Sequence, residues 1–427
     1  MNEIQILKEL IRIDSINPFK TVTDVHGDIY GVGNEEEILD YIEPFMKEAG
    51  YSCDRQLVQK EIEITTEAGP VVIRQRTNLL CEKGSGDSSL LFSGHVDTVE
   101  VKHGWDTEEA LSPVEKVVEG KERIYGLGSN DMLSGVAVMI HVAQTAKIQE
   151  GKKVKMAFLS DEEFWSIGAN TLCASEFVKD VKVVIVPEIG DSEIEPPADR
   201  KRVILGRMGR SEFEFNLIGT GGHGAASRKE GLVSAAVEAS KLVIELEKYS
   251  EDIKKTFTFG EEQWESITNS AFVNKVDVGM GGLSIPDKGQ VLFDRSFVPG
   301  EKIEEELDTL KDFLSSLYEK GILTEVHGKR ASVEVRPRPT PASDAYFTDK
   351  NNQWVTYVQK VMSDLNFKMA FSMGNSVADE NIFARELGVP VIVIGPTGED
   401  CHAPHEWVDV KSVNDLYSVY KKIVTDL

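Results

Sequence analysis

The sequence predicts an α/β protein, a largely parallel-sheet domain with an inserted ferredoxin-like module of order β-α-β-β-α-β. Three observations carry this. Helix and strand patterns alternate through the first 200 residues, the pattern changes from about 209, and the alternation returns after the proline-rich stretch RPRPTPA. A chain of 427 residues also exceeds the size at which one core usually stops growing.

The elements follow in order. In MNEIQILKELIRIDSINP, the residues Ile4, Leu7, Leu10 and Ile11 fall among charges, which predicts an amphipathic helix rather than a signal peptide. A helix near 34–48 is opened by Asn34 and three glutamates and closed by Gly50. Strands are expected near 71–81 and 88–93, a helix near 132–147, a strand at 153–159, a helix near 167–178 and a strand at 181–187. In the inserted module RSEFEFNLIG alternates as a strand, 231–249 is a helix, 271–280 and 289–297 are strands, 301–319 is a helix and 331–336 a strand. Beyond the stiff linker come a helix at 351–364, a strand at 389–394 and a helix at 411–425. The expected domains are therefore 1–208 with 337–427, and 209–336 inserted between them.

Composition narrows the function. The chain has 41% hydrophobic and 28% charged residues, which suits a globular protein and not a disordered tail. With 72 acids against 47 bases the net charge is −25, a field that repels phosphate backbones and anionic lipid, so neither nucleic acid nor membrane is an expected partner. No apolar run approaches the roughly 20 residues needed to span a bilayer, and a cytoplasmic protein is expected. The cysteines Cys53, Cys81, Cys173 and Cys401 show no C-x-x-C spacing, and they are expected to be reduced.

The informative residues sit where apolar strands end. SLLFSG runs into HVDT, which puts His95 and Asp97 past a strand end, where ligands bind in open α/β sheets. One intervening residue lets both side chains share a side of an extended segment, as an imidazole and the carboxylate that orients it do in metal sites. Asp131 follows the glycine-rich turn in IYGLGSNDMLSG, a position that a helix N-cap would also explain. KVKMAFL empties into Asp161, Glu162 and Glu163, whose mutual repulsion calls for solvent or a cation. Glu188 ends VKVVIVPE, and His402 and His405 follow VPVIVIG. Each alone has a bland explanation, but together they deliver oxygen and nitrogen ligands to one sheet edge.

The stretches SGHVDTV, YGLGSNDMLSG, SDEE, VPE, GTGGHGA, DRSFVPGE and HAPHEWV resemble, in order, the co-catalytic metallohydrolases that include glutamate carboxypeptidase, acetylornithine deacetylase, succinyl-diaminopimelate desuccinylase and aminoacylase. The resemblance implies two zinc ions per subunit bridged by Asp131. His95 and Glu188 would complete one site, and Glu163 and His402 the other. Glu162 would be the general base and Asp97 the partner of His95. It also implies that the inserted domain is a lid and dimerisation domain whose His223, from a neighbouring subunit, donates to the developing oxyanion, and that the protein is a homodimer. Imidazole and carboxylate ligands without cysteine also suit cobalt or manganese. Chemistry asks for the same inventory, because two cations about 4 Å apart can bring a shared water's pKa from 15.7 to roughly 7 while a carboxylate moves its proton.

Arg207 and Arg295 are candidates for gripping a substrate carboxylate, with a salt bridge as the alternative for each, and Asn381 in SVADENIF is a candidate substrate contact. Leu127 and Leu133 stand where the family usually has basic residues, and Leu283 where many relatives have asparagine. His405 is expected to be a loop histidine, and Asp161 a bystander that tolerates Asn. The expected reaction is hydrolysis of an amide beside a free carboxylate, in an N-acyl amino acid or a short peptide. The alternatives are a carbamoyl or other non-peptide amide on the same centre, and a catalytically silent metal-binding relative.

Overall fold

The computed structural model describes residues 1–17, 21–189, 196–226, 231–279 and 281–427. The chain divides into two compact units, the first comprising Met1–Gly206, Phe347–Gly374 and Ala378–Leu427, the second Arg207–Tyr346 with Asn375–Val377.

The first unit opens with α1 (Glu3–Ile11), where Asn2 and Gln5 form a reciprocal capping box and Ile6, Leu7, Leu10 and Ile11 are buried. It continues through α2 (Glu36–Glu48), β1 (Ser52–Gln59), β2 (Arg76–Gly84), β3 (Ser89–His95), α3 (Leu133–Thr145), β4 (Lys153–Leu159), α4 (Ile167–Cys173), β5 (Val181–Val186) and β6 (Lys201–Arg207). The second unit holds β7 (Gly209–Ile218), α5 (Ala235–Asp252), β8 (Ala271–Val278), β9 (Lys288–Phe297), α6 (Ile303–Glu319) and β10 (Ser332–Val335). The chain returns to the first unit for α7 (Gln353–Asp364), β11 (Met369–Gly374), α8 (Asp379–Leu387), β12 (Val391–Val393) and α9 (Val410–Asp426).

The main sheet of the first unit runs β6-β12-β5-β3-β4-β2-β1, with β11 paired to β6. Among the described pairings β12, β5, β3 and β4 run parallel, whereas β6 with β12, β4 with β2 and β2 with β1 are antiparallel, so the largely parallel sheet expected from sequence is a mixed one. Burial explains the difference. The central strands are continuous apolar runs covered on both faces, whereas β1, SCDRQLVQ, is half-exposed and polar, as antiparallel edges can be. α3 lies over this sheet with nearly every residue buried, in a core shared with α1, α2 and α9.

Cys53 and Cys81 face each other across β1 and β2 and form a disulfide, which corrects the expectation of four reduced cysteines. Their separation of 28 residues carried no signal; the antiparallel register brings them together. Cys173 and Cys401 are free thiols.

The sheet of the second unit has the order β8-β9-β7-β10, antiparallel throughout. One face carries a core of Phe213, Phe215, Phe293, Leu242, Leu310 and Leu314 drawn from its strands and from α5 and α6.

Candidate metal centre

The parallel strands β3, β4, β5 and β12 all point their C-terminal ends to one edge of the sheet, and each is followed by a segment carrying acids or histidines. His95 is the last residue of β3 and is almost fully buried. Its Nδ1 lies 2.9 Å from the Asp97 carbonyl oxygen, an acceptor only, so Nδ1 carries the proton and donates it. Nε2 faces Asp131 Oδ1 at 3.1 Å and Glu188 Oε2 at 3.2 Å, so without a cation it holds a proton that it donates to these carboxylates, and with one its lone pair is the ligand. Asp97 thus orients the imidazole mainly through its carbonyl. Its carboxylate, 3.5 Å from Nδ1, instead accepts from the backbone N–H of Glu162 and Glu163 and from Asn17 Nδ2, at 3.1, 3.2 and 3.0 Å.

Asp131 sits between two histidines. One carboxylate oxygen faces His95 Nε2, and the other faces His402 Nε2 at 3.2 Å, which is itself 3.0 Å from Glu163 Oε2. Ligand atoms of His95, Asp131 and Glu163 all lie within 4.8 Å of one another. Glu162 Oε2 is 4.0 Å from His95 Nε2. Glu406, buried, accepts from the backbone N–H of Gly128, Asn130 and Asp131 at 2.8, 2.8 and 2.9 Å, and so fixes the turn that presents Asp131. A recess of about 180 Å³ is lined by His95, Glu162, Glu188, Asp379, Glu380 and Phe383.

The electrostatics describe a centre short of positive charge. Burial pushes Glu162 well above the carboxylate range, reinforced by Asp379, Glu163 and Glu188. Burial and the Asp131 charge lift Glu163 and Glu188 to about 7 each. Hydrogen bonds to Asp131 and Glu163 raise His402 to about 11, and the carboxylates raise His95 well above an ordinary imidazole despite its burial. Burial works against Asp131 and Asp97, yet the two imidazoles hold Asp131, and His95 with Arg76 holds Asp97, below the usual range. Among the described contacts of these carboxylates the positive charge comes from protons on the two histidines, and a divalent ion would replace them. Glu163 Oε1 is buried with no hydrogen-bond partner among the described residues, a carboxylate oxygen left for a ligand. Two imidazoles and several carboxylates around one bridging aspartate fit divalent metal.

The remaining expected residues fare differently. Asp161 is no bystander. It is wholly buried, receives Arg76 Nη1 at 2.8 Å and Asn17 Nδ2 at 3.0 Å, and holds a left-handed backbone with φ 71°. Arg295 is not open to substrate, because Glu301 and Glu306 hold its guanidinium at 2.9 and 2.8 Å in the second unit and Phe297 lies beneath it. Arg207, also buried and in the second unit, donates to Ser376 Oγ at 2.9 Å. Asn381 accepts the Ala378 N–H on its Oδ1 at 3.0 Å at the start of α8 and is buried. His223 is exposed in the second unit, and its Nδ1 accepts from Ala225 N at 3.1 Å. His405 packs against Trp105. Leu127 and Leu133 are buried, while Leu283 is exposed. Sequence reasoning missed Arg76, Glu35 and Asn17. Glu406 was missed as well, its one sequence signal being an acid four residues after His402.

Comparison with known proteins agrees with this geometry. The Peptidase family M20/M25/M40 matches residues 91–426. An uncharacterised metallohydrolase of Methanocaldococcus jannaschii is 25% identical over 437 aligned positions, covering 99% of this chain and 98% of that protein. A succinyl-diaminopimelate desuccinylase of Pelagibacter ubique is 24% identical, covering 99% and 98%. The crystal structure of aminopeptidase PepT from Bacillus cereus shares the fold, with a TM-score of 0.70 at 15% identity over 100% of this chain and 98% of that one. With four strand ends converging on one aspartate and a family match over most of its length, the chain belongs to peptidase family M20/M25/M40 and is a metal-dependent amide hydrolase.

Proposed function

We propose that the protein hydrolyses an amide beside a free carboxylate, in an N-acyl amino acid or a short peptide, at a centre holding two zinc ions or, in their place, cobalt or manganese. One observation carries the dinuclear reading: the two oxygens of Asp131 face Nε2 of two different histidines at 3.1 and 3.2 Å. His95 and Glu188 would hold one ion, His402 and Glu163 the other, with Asp131 shared. Bound metal would polarise the amide carbonyl and acidify an attacking water. Glu162 takes that water's proton on its carboxylate and delivers it to the leaving nitrogen. Asp97 holds the Glu162–Glu163 backbone through two N–H bonds and keeps His95 Nε2 free by taking the Nδ1 proton into a hydrogen bond.

The second unit is read as a lid and dimerisation domain, with His223 as oxyanion donor and the protein as a cytoplasmic homodimer. Phe272 and Val276 on the edge strand β8, and Val237 and Ile244 on α5, are exposed apolar side chains that support an isologous contact. The substrate class is supported by the desuccinylase relative, whose name describes removal of an acyl group from an amino acid.

The test is turnover of N-acyl amino acids and dipeptides by metal-stripped protein given back zinc, cobalt or manganese, each compound paired with its carboxamide counterpart. Hydrolysis of the free acids and not of the carboxamides is expected. Equal hydrolysis of both would overturn the carboxylate requirement.

A further inference from the structure

Three consecutive residues at the start of β2 grip the turn that carries Glu162 and Glu163. Asn78 takes both ends, its Oδ1 accepting from Ser160 N at 3.2 Å and its Nδ2 donating to the Gly168 carbonyl at 2.9 Å. The Thr77 carbonyl accepts from Ser160 Oγ at 2.7 Å. Arg76 reaches the middle, with Nη1 on Asp161 Oδ1 at 2.8 Å. The other side of its guanidinium is held by both oxygens of Glu35, one through Nε at 3.0 Å and one through Nη2.

The guanidinium is 1% exposed and lies in a cradle that only glycine permits: a Cβ on Gly33 would come 2.6 Å from its Cζ, and one on Gly31 would come 3.0 Å from Nη1. From Asp161 the network continues toward the reacting groups. The Asn17 amide spends one N–H on Asp161 Oδ1 and the other on Asp97 Oδ2, each at 3.0 Å, and Asp97 accepts the backbone N–H groups of Glu162 and Glu163. Asp161 Oδ2 also takes the Ile167 N–H at 3.2 Å, closing the turn ahead of α4.

We propose that Arg76 is a positioning residue for hydrolysis, setting the attitude of Glu162 and Glu163 through Asp161, Asn17 and Asp97. The buried cation sits among Glu35, Asp161 and Asp97, three acids that would otherwise repel one another beside the metal cluster. Its planar fork fixes directions as well as charge, which an ammonium cannot do. The proposal rests on Glu162 as base and Glu163 as ligand, and the two readings fail separately: an active Glu162→Gln enzyme refutes the roles, whereas the Arg76 proposal is read in other variants and in metal binding.

The experiment uses the full chain, stripped of metal, with Arg76→Lys and Asn17→Ala. Zinc alone is titrated calorimetrically, and kcat and KM are measured on the N-acyl amino acid or dipeptide that the parent hydrolyses fastest. Supporting groups around metal ligands typically contribute about 10–100-fold in affinity or activity. Both variants are expected to lose kcat in that range with KM nearly unchanged, and to weaken one of two zinc equivalents. Loss of only one of these properties supports positioning of only the corresponding acid. A residue that merely stabilises the fold would lower the melting temperature and leave kcat and zinc affinity at parental values in the folded protein, and that result overturns the proposal. If Arg76→Lys does not fold, Asn17→Ala decides alone, because it opens the Asp161–Asp97 link while leaving Arg76 paired with both of its acids.

Discussion

Two buried charge clusters, one in each unit, handle the same difficulty in opposite ways. In the second unit Arg295 faces Glu301 and Glu306, and neutral donors make up the shortfall: Tyr249 donates to Glu306 at 2.9 Å, while Asn269 Nδ2 and the Val298 N–H serve Glu301. In the first unit Asp131, Glu162, Glu163 and Glu188 surround two histidines and no lysine or arginine touches them among the contacts described. A cluster that the protein closes by itself has nothing left for a ligand. A cluster left anionic selects one. Net charge of a neighbourhood, rather than the presence of an arginine, therefore separates a structural knot from a site.

The comparison breaks most visibly at the carboxylates of the open cluster. Glu162→Gln should lower kcat by about 10²–10⁴-fold, the usual contribution of a general base, with metal content at the parental level. Glu163→Gln should instead shed metal and regain activity when excess zinc is supplied. Metal analysis beside turnover separates the two, and equal metal loss in both would show the roles misassigned.

In the closed cluster the expectation reverses. Arg295→Met leaves two acids buried without their cation, and should destabilise the protein by about 3–5 kcal/mol in urea unfolding while kcat and KM of the folded enzyme stay unchanged. A clear rise in KM would return Arg295 to the substrate site.

A ligand that neutralises the open cluster must also stabilise it. At free zinc about 100 times its Kd the unfolding free energy should rise by about 2.7 kcal/mol, and a chelator should remove the gain. Thermal melts of stripped and loaded protein check this, and identical melts would argue that the centre does not bind zinc in the native state.

The smallest effect comes from a carboxylate outside both clusters. Burial pushes Asp180 up, but Lys155 and Lys153, at 2.5 and 2.9 Å, more than offset it and hold it below its ordinary 3.8. A depressed folded value means that the contribution is fully present above about pH 3.8 and is lost as pH falls through the lower folded value. Asp180→Asn should therefore cost less than about 1 kcal/mol at pH 7, as partly exposed pairs do, and progressively less as pH falls below about 3.8. A gap that persists in acid would refute the assignment.

Most of the candidate ligands were legible because His95, Glu163, Glu188 and His402 follow apolar strands, a one-dimensional signal, whereas Asp131 follows a glycine-rich turn and stood out only in their company. Asp161 was misread for the same reason: in sequence it looks like its neighbours, and only its contact with Arg76, across 85 residues, gives it a separate task. Arg295 was left between a substrate contact and a salt bridge, and its partners Glu301 and Glu306 lie on the next loop and helix, where sequence alone does not pair them. The edge strand β1 was missed because a half-exposed strand lacks a continuous apolar run, and the Cys53–Cys81 pairing depends on register, which composition does not encode.

Glu406 binds the turn before Asp131 across as many as 278 residues of chain, so the site has a late birthday. A ribosome that has released His95, Asp131, Glu162, Glu163 and Glu188 has produced four acids and a single histidine, with neither His402 to share the charge nor Glu406 to hold the turn. Vectorial synthesis thus exposes an unfinished, self-repelling edge until the segment from 402 to 406 emerges, and high-affinity metal capture belongs to the final stage of folding. Pulse-labelled nascent chains should gain zinc-dependent protease resistance only after that segment has left the exit tunnel.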